Sequence, residues 1–491
     1  MGPVNRSIKL NMLLNALNGA LGLLLPLITF PYVTRVLGVM NIGKINFTCS
    51  VISFFVLFAG LGINSYAVRE GARIRDNKLL LKKFSDQMFS ITVCSALLVY
   101  LIFLISIVYI PKFSSYSDLF LIFSIQILLV IFSLEWIYVI YEDYLFATIR
   151  NIVIQTLFVI ALLLFVRNQT DIYVYALISA FTVVLTNLSN FIYVRKYCKV
   201  SLTISLDIKK HIKPILVMFG MVLAVTIYVS SDMIILGFLW SDYEVGIYSV
   251  SVKIYTIVKV LLSSLIVVTI PRLSSFIGKN EKLKFSNLAS ETFNILLTLT
   301  VPVITGILLL KDEIIVLLCG QQYIESSSSL CFLSFSLFFC LGAWFWGQCI
   351  LIPHKREALV FKITCMTAIL NIILNFIFIP IWKEDAAAIT TLLAEAVAFV
   401  LCWHSSRDLL QIKGIYLLLG KIIVGCIGIV LIYHVSSAFF DSCIEHIIFT
   451  VLGSTVIYSA IECALMNESV YLIFKEILKQ IKILQKTGPV P

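Results

Sequence analysis

The sequence predicts an all-α polytopic membrane protein. About fourteen transmembrane helices are expected, as two six-helix lobes around a central cavity plus two C-terminal helices. Three observations predict it: composition, the run lengths of apolar residues, and the side on which basic residues fall. Of 491 residues, 60% are hydrophobic and 13% charged, with a mean hydropathy of +1.02. An ordinary soluble domain is about 45–50% apolar and about 25% charged. So few charges cannot cover so much apolar surface in water, which excludes a soluble enzyme, a nucleic-acid binder and a disordered chain.

Apolar runs cover 12–33, 43–66, 84–109, 118–141, 148–166, 172–194 and 214–239. They continue at 246–270, 287–310, 326–351, 361–382, 386–404, 415–435 and 444–465. Each run suits a helix at ~20 residues per ~30 Å of hydrocarbon, and the alternating ten-residue strands of a barrel are absent. Fourteen such spans leave no room for a sizeable soluble domain. The first run lacks a small-residue cleavage site and reads as a retained span. Pro26 and Pro31 predict kinks within it.

Basic residues set the orientation. Of the 37 Lys and Arg, all fall on one side of the predicted spans except Arg35, Lys44, Lys112, Arg167, Lys253, Lys259, Lys311 and Lys383. Both termini are therefore expected in the cytoplasm. The loop cations Arg69, Arg73, Arg75, Lys78, Lys82 and Lys83 read as topology determinants and contacts to anionic lipids.

Sliding the chain on itself by 203 residues lays Gly43 on Gly246 and Arg69 on Arg272. A shifted register lays Trp136 on Trp344. This weak repeat predicts an N-terminal lobe at 1–200 (spans 1–6) and a C-terminal lobe at 201–408 (spans 7–12). The extra pair then occupies 409–466, followed by a basic cytoplasmic tail at 467–491. The last five residues read as a cloning remnant, as do Gly2 and Pro3. Two such lobes are a transporter architecture.

The twelve cysteines are scattered, without C-x-x-C pairs, and read as small buried hydrophobes. There is no phosphate-binding G-x-x-x-x-G-K-[ST] loop, no His-Glu-x-x-His and no Gly-x-Ser-x-Gly. The chain is therefore expected not to be an enzyme and to hold no metal or cofactor. The five histidines lie near span ends, where a solvated or interfacial role is expected.

What remains are ionisable residues at membrane depth, where charge is costly and faces a bundle interior or an aqueous cavity. Tyr248, Ser251, Tyr255 and Lys259 recur at helical spacing on one face of span 8, a polar-aromatic stripe with a cation at its deep end. Lys253 lies nearer the surface and can snorkel. Arg35 and Lys44 stand at the outer mouth of spans 1 and 2. Glu135 beside Trp136 lies in span 4, Asp232 in span 7 and Glu395 in span 12. Glu135 and Glu395 are read as partners of lysines across the bundle or as ion-coupling groups, with Asp232 a third coupling candidate.

Several stretches resemble the bacterial Wzx-like polysaccharide flippases of the multidrug/oligosaccharidyl-lipid/polysaccharide superfamily. They are 15–38 with Pro31-Tyr32 and Arg35-Val36-Leu37-Gly38, Leu61-Gly62 through Arg69-Glu70, and Glu135-Trp136 with Glu142 and Ile149-Arg150-Asn151. Ser231 through Gly237, Val245 through Tyr255 and Pro271-Arg272-Leu273-Ser274 are similar too. The resemblance implies alternating access of a cationic cavity in a bacterial plasma membrane. Its implied cargo is an undecaprenyl-diphosphate-linked oligosaccharide of capsule or O-antigen type. A polysaccharide polymerase and chain-length machinery are implied partners; nucleic acid is not.

For that cargo, Lys259, Lys253 and Arg35 are the candidate diphosphate partners. Tyr248, Ser251, Tyr255, Trp136 and Asp232 are candidates for the sugars. Coupling to H⁺, Na⁺ or the membrane potential stays open. So do a teichoic-acid-precursor or lipid II flippase, a cation-coupled multidrug exporter and, from another class, a membrane glycan polymerase or glycosyltransferase.

Overall fold

A backbone that crosses hydrocarbon must satisfy its own N–H and C=O groups, and a helix does so within one segment. The chain follows that rule in a computed structural model, which describes residues 8–472 apart from Lys413 and Asp441, with side chains from Ile28 onward. Gly2, Pro3 and the tail beyond residue 472 lie outside the described residues.

The first half contains α1 (Ile8–Gly60), α2 (Ile63–Ile74), α3 (Lys78–Tyr109), α4 (Pro111–Ser114), α5 (Ser117–Leu129), α6 (Trp136–Val139), α7 (Tyr144–Phe165), α8 (Ile172–Val194) and α9 (Ile208–Leu239). The second contains α10 (Asp242–Gly278), α11 (Lys282–Cys319), α12 (Ser326–Trp344), α13 (Glu357–His404), α14 (Ile415–Phe439) and α15 (Cys443–Ala464). Among the described residues there is no strand.

Eleven helices among the described residues are long and apolar enough to cross a membrane, and Ser117–Phe132 is a shorter apolar segment. Two of the long helices are interrupted. In α1 the break falls at Gly38 (φ 76°, ψ 169°), a positive-φ conformation that glycine takes without strain. The helix runs on through Pro31, so the expected kink lies seven residues later than the proline. In α13 the break falls at Lys383 (φ 52°, ψ −129°). Leu97, Leu98, Leu101 and Ile102 on α3, and Leu431, Leu452 and Val456 on α14 and α15, are exposed, as lipid-facing residues should be.

Two compact units divide the chain at 1–249 and 250–491. α9 packs on α1 and α2, so the seventh expected span groups with the first unit, one span later than the repeat-based boundary at residue 200.

Within the first unit, one cluster of buried residues contains Tyr66, Phe84, Met88, Trp136, Tyr138 and Ile215. A hydrogen-bond chain ties it together. Tyr66 Oη lies 2.9 Å from His211 Nδ1, and His211 Nε2 lies 3.0 Å from Gln87 Oε1. Because an amide oxygen only accepts, His211 carries its proton on Nε2 and takes the Tyr66 hydrogen on Nδ1.

His211 is 2% exposed, which corrects the expectation of a solvated histidine. His446 is likewise buried, its Nδ1 3.5 Å from Glu313 Oε1. Position near a span end does not imply water when loops and neighbouring helices pack over it.

Candidate functional site

The predicted residues fall into two groups. In the first unit, α9 and the start of α10 carry Asp232 and Tyr248, both buried; Tyr248 Oη donates to Asp232 Oδ2 at 3.0 Å. Ser231 donates to the other oxygen at 3.5 Å. A buried carboxylate held in this way is stabilised by its donors. Nearby, α1 and α10 meet with almost no separation: a Cβ on Gly43 would lie 1.7 Å from the Asp242 carbonyl oxygen, and one on Gly246 2.3 Å from that of Val39. Shifting Val39 and Gly43 by 203 residues gives Asp242 and Gly246, so the two contacts are reciprocal copies. The weak repeat is thus expressed as a local two-fold contact.

Trp136 is 1% exposed. It stands edge-on to Phe84 at 5.7 Å, and Gly71 is small enough to pack on its ring. Trp136 also borders a cavity of about 180 Å³ with Asn64, Thr92 and Ser133. Among the described residues Glu135 pairs with no lysine; it accepts from Asn64 Nδ2 at 3.1 Å. Arg35 is exposed on α1.

In the second unit the stripe on α10 separates by role. Ser251 is fully buried and donates to the Ser326 carbonyl at 2.7 Å, fastening α10 to α12. Its hydroxyl proton is thus committed to backbone. Lys253 is partly buried. Lys259, near the middle of the 37-residue α10, is partly buried with its Nζ 5.5 Å from the Tyr255 ring centroid. Cys340 of α12 and Glu395 of α13 lie within interaction range of Lys259. Lys259 and Tyr255 of α10 are thus in electrostatic range of Glu395 of α13, more than a hundred residues later in the sequence.

Sequence reasoning missed the neighbours. Ser336 and Cys340 complete this cluster; their signal is only that Ser336, Cys340 and Tyr255 are polar or soft atoms in apolar helices. Asn371 and Asn375 of α13, both fully buried, are joined at 3.1 Å, and Thr390 donates to Asn375. Two asparagines four apart in a span were a readable signal. A separate groove of about 610 Å³ is lined by Phe293, Phe338, Trp346, Phe399, Trp403 and Arg407, with the Arg407 guanidinium 4.2 Å from the Trp403 ring centroid.

Known proteins are similar to this chain at the level of sequence and of fold. The chain is 25% identical over 396 residues to a putative O-antigen transporter of Escherichia coli (strain K12), covering 80% of this chain and 94% of that protein. Its fold is similar to the lipid II flippase MurJ in an inward closed conformation, with a TM-score of 0.74 at 16% identity over 93% of this chain and all of that one. An inward-facing multidrug resistance MATE transporter of the MOP superfamily is similar at a TM-score of 0.58 and 14% identity, over 82% and 95% of the two chains. A family model described as polysaccharide biosynthesis protein matches residues 8–277. With more than half of its length matched, and with the fold of a flippase-type membrane transporter, the chain belongs to the polysaccharide biosynthesis protein family.

Proposed function

We propose that this protein moves an undecaprenyl-diphosphate-linked oligosaccharide, a capsule or O-antigen type repeat unit, from the inner to the outer leaflet of a bacterial plasma membrane by alternating access. The observation that carries the reading is Lys259: an ammonium group in the middle of a membrane helix, beside an aromatic face and buried hydroxyls. A cation at that depth needs an anionic partner, and a diphosphate supplies one. Lys253 and Arg35 are further candidates for the same charge. The apolar groove at Trp346 and Trp403 suits an isoprenoid chain.

In this reading α1 counts as two spans divided at Gly38 and α13 as two divided at Lys383. With the 117–132 segment these bring the eleven long helices to fourteen. Both termini are then cytoplasmic, and the repeat-based lobes 1–200 and 201–408 are the bodies that alternate. Moving two negative charges outward across an inside-negative ~100 mV membrane gains about 4–5 kcal/mol, so no nucleotide is needed. Coupling to H⁺ or Na⁺ through Glu135, Asp232 or Glu395 stays open beside that drive.

The test is a lipid extract from cells depleted of the protein, read by mass spectrometry beside a surface-polysaccharide assay. Accumulated undecaprenyl-diphosphate oligosaccharide with less surface glycan is expected, and the spectrum names the cargo. Lys259→Ala should reproduce the depletion phenotype at normal expression, with Lys259→Arg retaining part of the activity. Unchanged intermediates with new sensitivity to cationic drugs would replace the reading with an exporter. Accumulated lipid II would make it a lipid II flippase.

A further inference from the structure

The apolar runs 43–66 and 118–141 each read as one span, yet the structure interrupts both, and the two interruptions meet at one cavity of the first unit. In the first, α1 ends at Gly60, Leu61 and Gly62 take positive φ (48° and 63°), and α2 starts at Ile63 without a side-chain cap. In the second, α5 ends at Leu129, a tighter turn covers Val130–Phe132, Ser133 leaves helical geometry (φ −77°, ψ 65°), and α6 begins at Trp136. Helix ends leave backbone N–H and C=O groups without intrahelical partners. At membrane depth such backbone persists only where protein covers it or where it lines a polar cavity. Here it lines a cavity of about 180 Å³: Gly60, Gly62 and Asn64 contribute from one break, Ser133 and Trp136 from the other, and Thr92 from α3.

The side chains supply both donors and acceptors. Glu135, set between cavity-lining Leu134 and Trp136, accepts from Asn64 Nδ2 at 3.1 Å, so the Asn64 amide oxygen faces no competition from that bond. Thr92 donates to the Met88 carbonyl at 2.9 Å and keeps its oxygen lone pairs, and half-buried Ser133 adds a hydroxyl that donates and accepts. The rest of the wall is apolar, and no Lys or Arg lines it. A phosphate therefore has no cation here, and an isoprenoid chain would strand the amide and the hydroxyl. We propose that this cavity is a subsite for one neutral pyranose of the cargo's glycan, with Asn64 and Ser133 bonding its hydroxyls, the apolar wall covering its C–H face and Glu135 disfavouring acidic sugars. The inference rests on the proposed function, which supplies the sugar. In the orientation of that reading, both breaks lie toward the cytoplasmic ends of their spans, where the glycan is loaded.

The experiment is saturation-transfer NMR of the full chain in nanodiscs with the methyl glycosides of glucose, galactose, N-acetylglucosamine and glucuronic acid. At least one neutral glycoside should receive saturation from the wild type, and the glucuronide none. Asn64→Ala and Ser133→Ala should each weaken that binding about ten-fold, the size of one lost hydrogen bond in a partly dry site. Ser133→Leu, which fills the cavity, should abolish it. Undecaprenyl diphosphate, titrated calorimetrically into the same nanodiscs, should bind all three variants as it binds the wild type, which controls for folding. Transfer to no neutral glycoside, equal transfer to the glucuronide, or undiminished transfer in Ser133→Leu overturns the subsite, and the proposed function stands if undecaprenyl diphosphate still binds. Glycoside binding without undecaprenyl diphosphate binding keeps the subsite and overturns the lipid carrier. Binding of neither by the wild type overturns both.

Discussion

Asp232 and Glu395 are both buried carboxylates in membrane helices, each near a tyrosine of the same helix, α10, and they are treated in opposite ways. Asp232 accepts from Tyr248 and Ser231 within the first unit. Glu395 sits before a set of donors in the second unit and binds none of them closely. The difference teaches that depth alone does not mark a working charge. A carboxylate with close donors is held by them; one without close donors is not.

The largest expected effect concerns the first unit's packing. Trp136→Ala should cost about 3–5 kcal/mol, as for other large core aromatics, and appear in detergent thermal melts as lost folded protein. A stable Trp136→Ala variant with altered cargo preference would instead return this residue to the substrate.

Gly43→Ala should cost about 1–3 kcal/mol because its methyl would enter the Asp242 carbonyl. Gly306→Ala, with open space at its Cβ, should gain up to about 1 kcal/mol from helix propensity. Equal melting temperatures for the two variants would show that the reciprocal glycine contact is not close-packed.

The sharpest probe is a matched pair. Tyr248→Phe should lose about 1–2 kcal/mol with its bond to Asp232, whereas Tyr255→Phe, whose hydroxyl has no partner, should melt unchanged or slightly higher. Equal losses would erase the contrast between the two sites.

The smallest effect lies outside the spans. Arg356 holds the Asp408 carboxyl below its ordinary value through hydrogen bonds at 2.5 and 3.0 Å. A carboxylate depressed in the folded state contributes stability above its unfolded value, and that contribution fades as pH falls through the folded one. Both groups are exposed, so Asp408→Asn should flatten only the acid limb of the melting profile, slightly. An unchanged acid limb would show that the pair is screened out.

Composition and run length were enough for the membrane and for the helices, because bilayer thickness and the need to satisfy the backbone leave one local solution for an apolar run. They also pointed to Lys259, whose cost at that depth is a property of one residue. The 203-residue offset was legible as a faint pattern in two identities, Gly43 on Gly246 and Arg69 on Arg272, and its meaning as a reciprocal helix contact was not.

Other features needed the tertiary structure. Trp136 and Ser251 carry side chains suited to sugars, and only their neighbours show that ring and hydroxyl are already used. The break in α1 falls at Gly38 and not at Pro31, because glycine takes a positive φ without the strain a side chain adds. The sequence by itself determined which groups are expensive to bury. Which of them have found partners was decided by the packing of helices distant in the chain, because a hydrogen bond depends on a few ångströms of separation that no local pattern encodes.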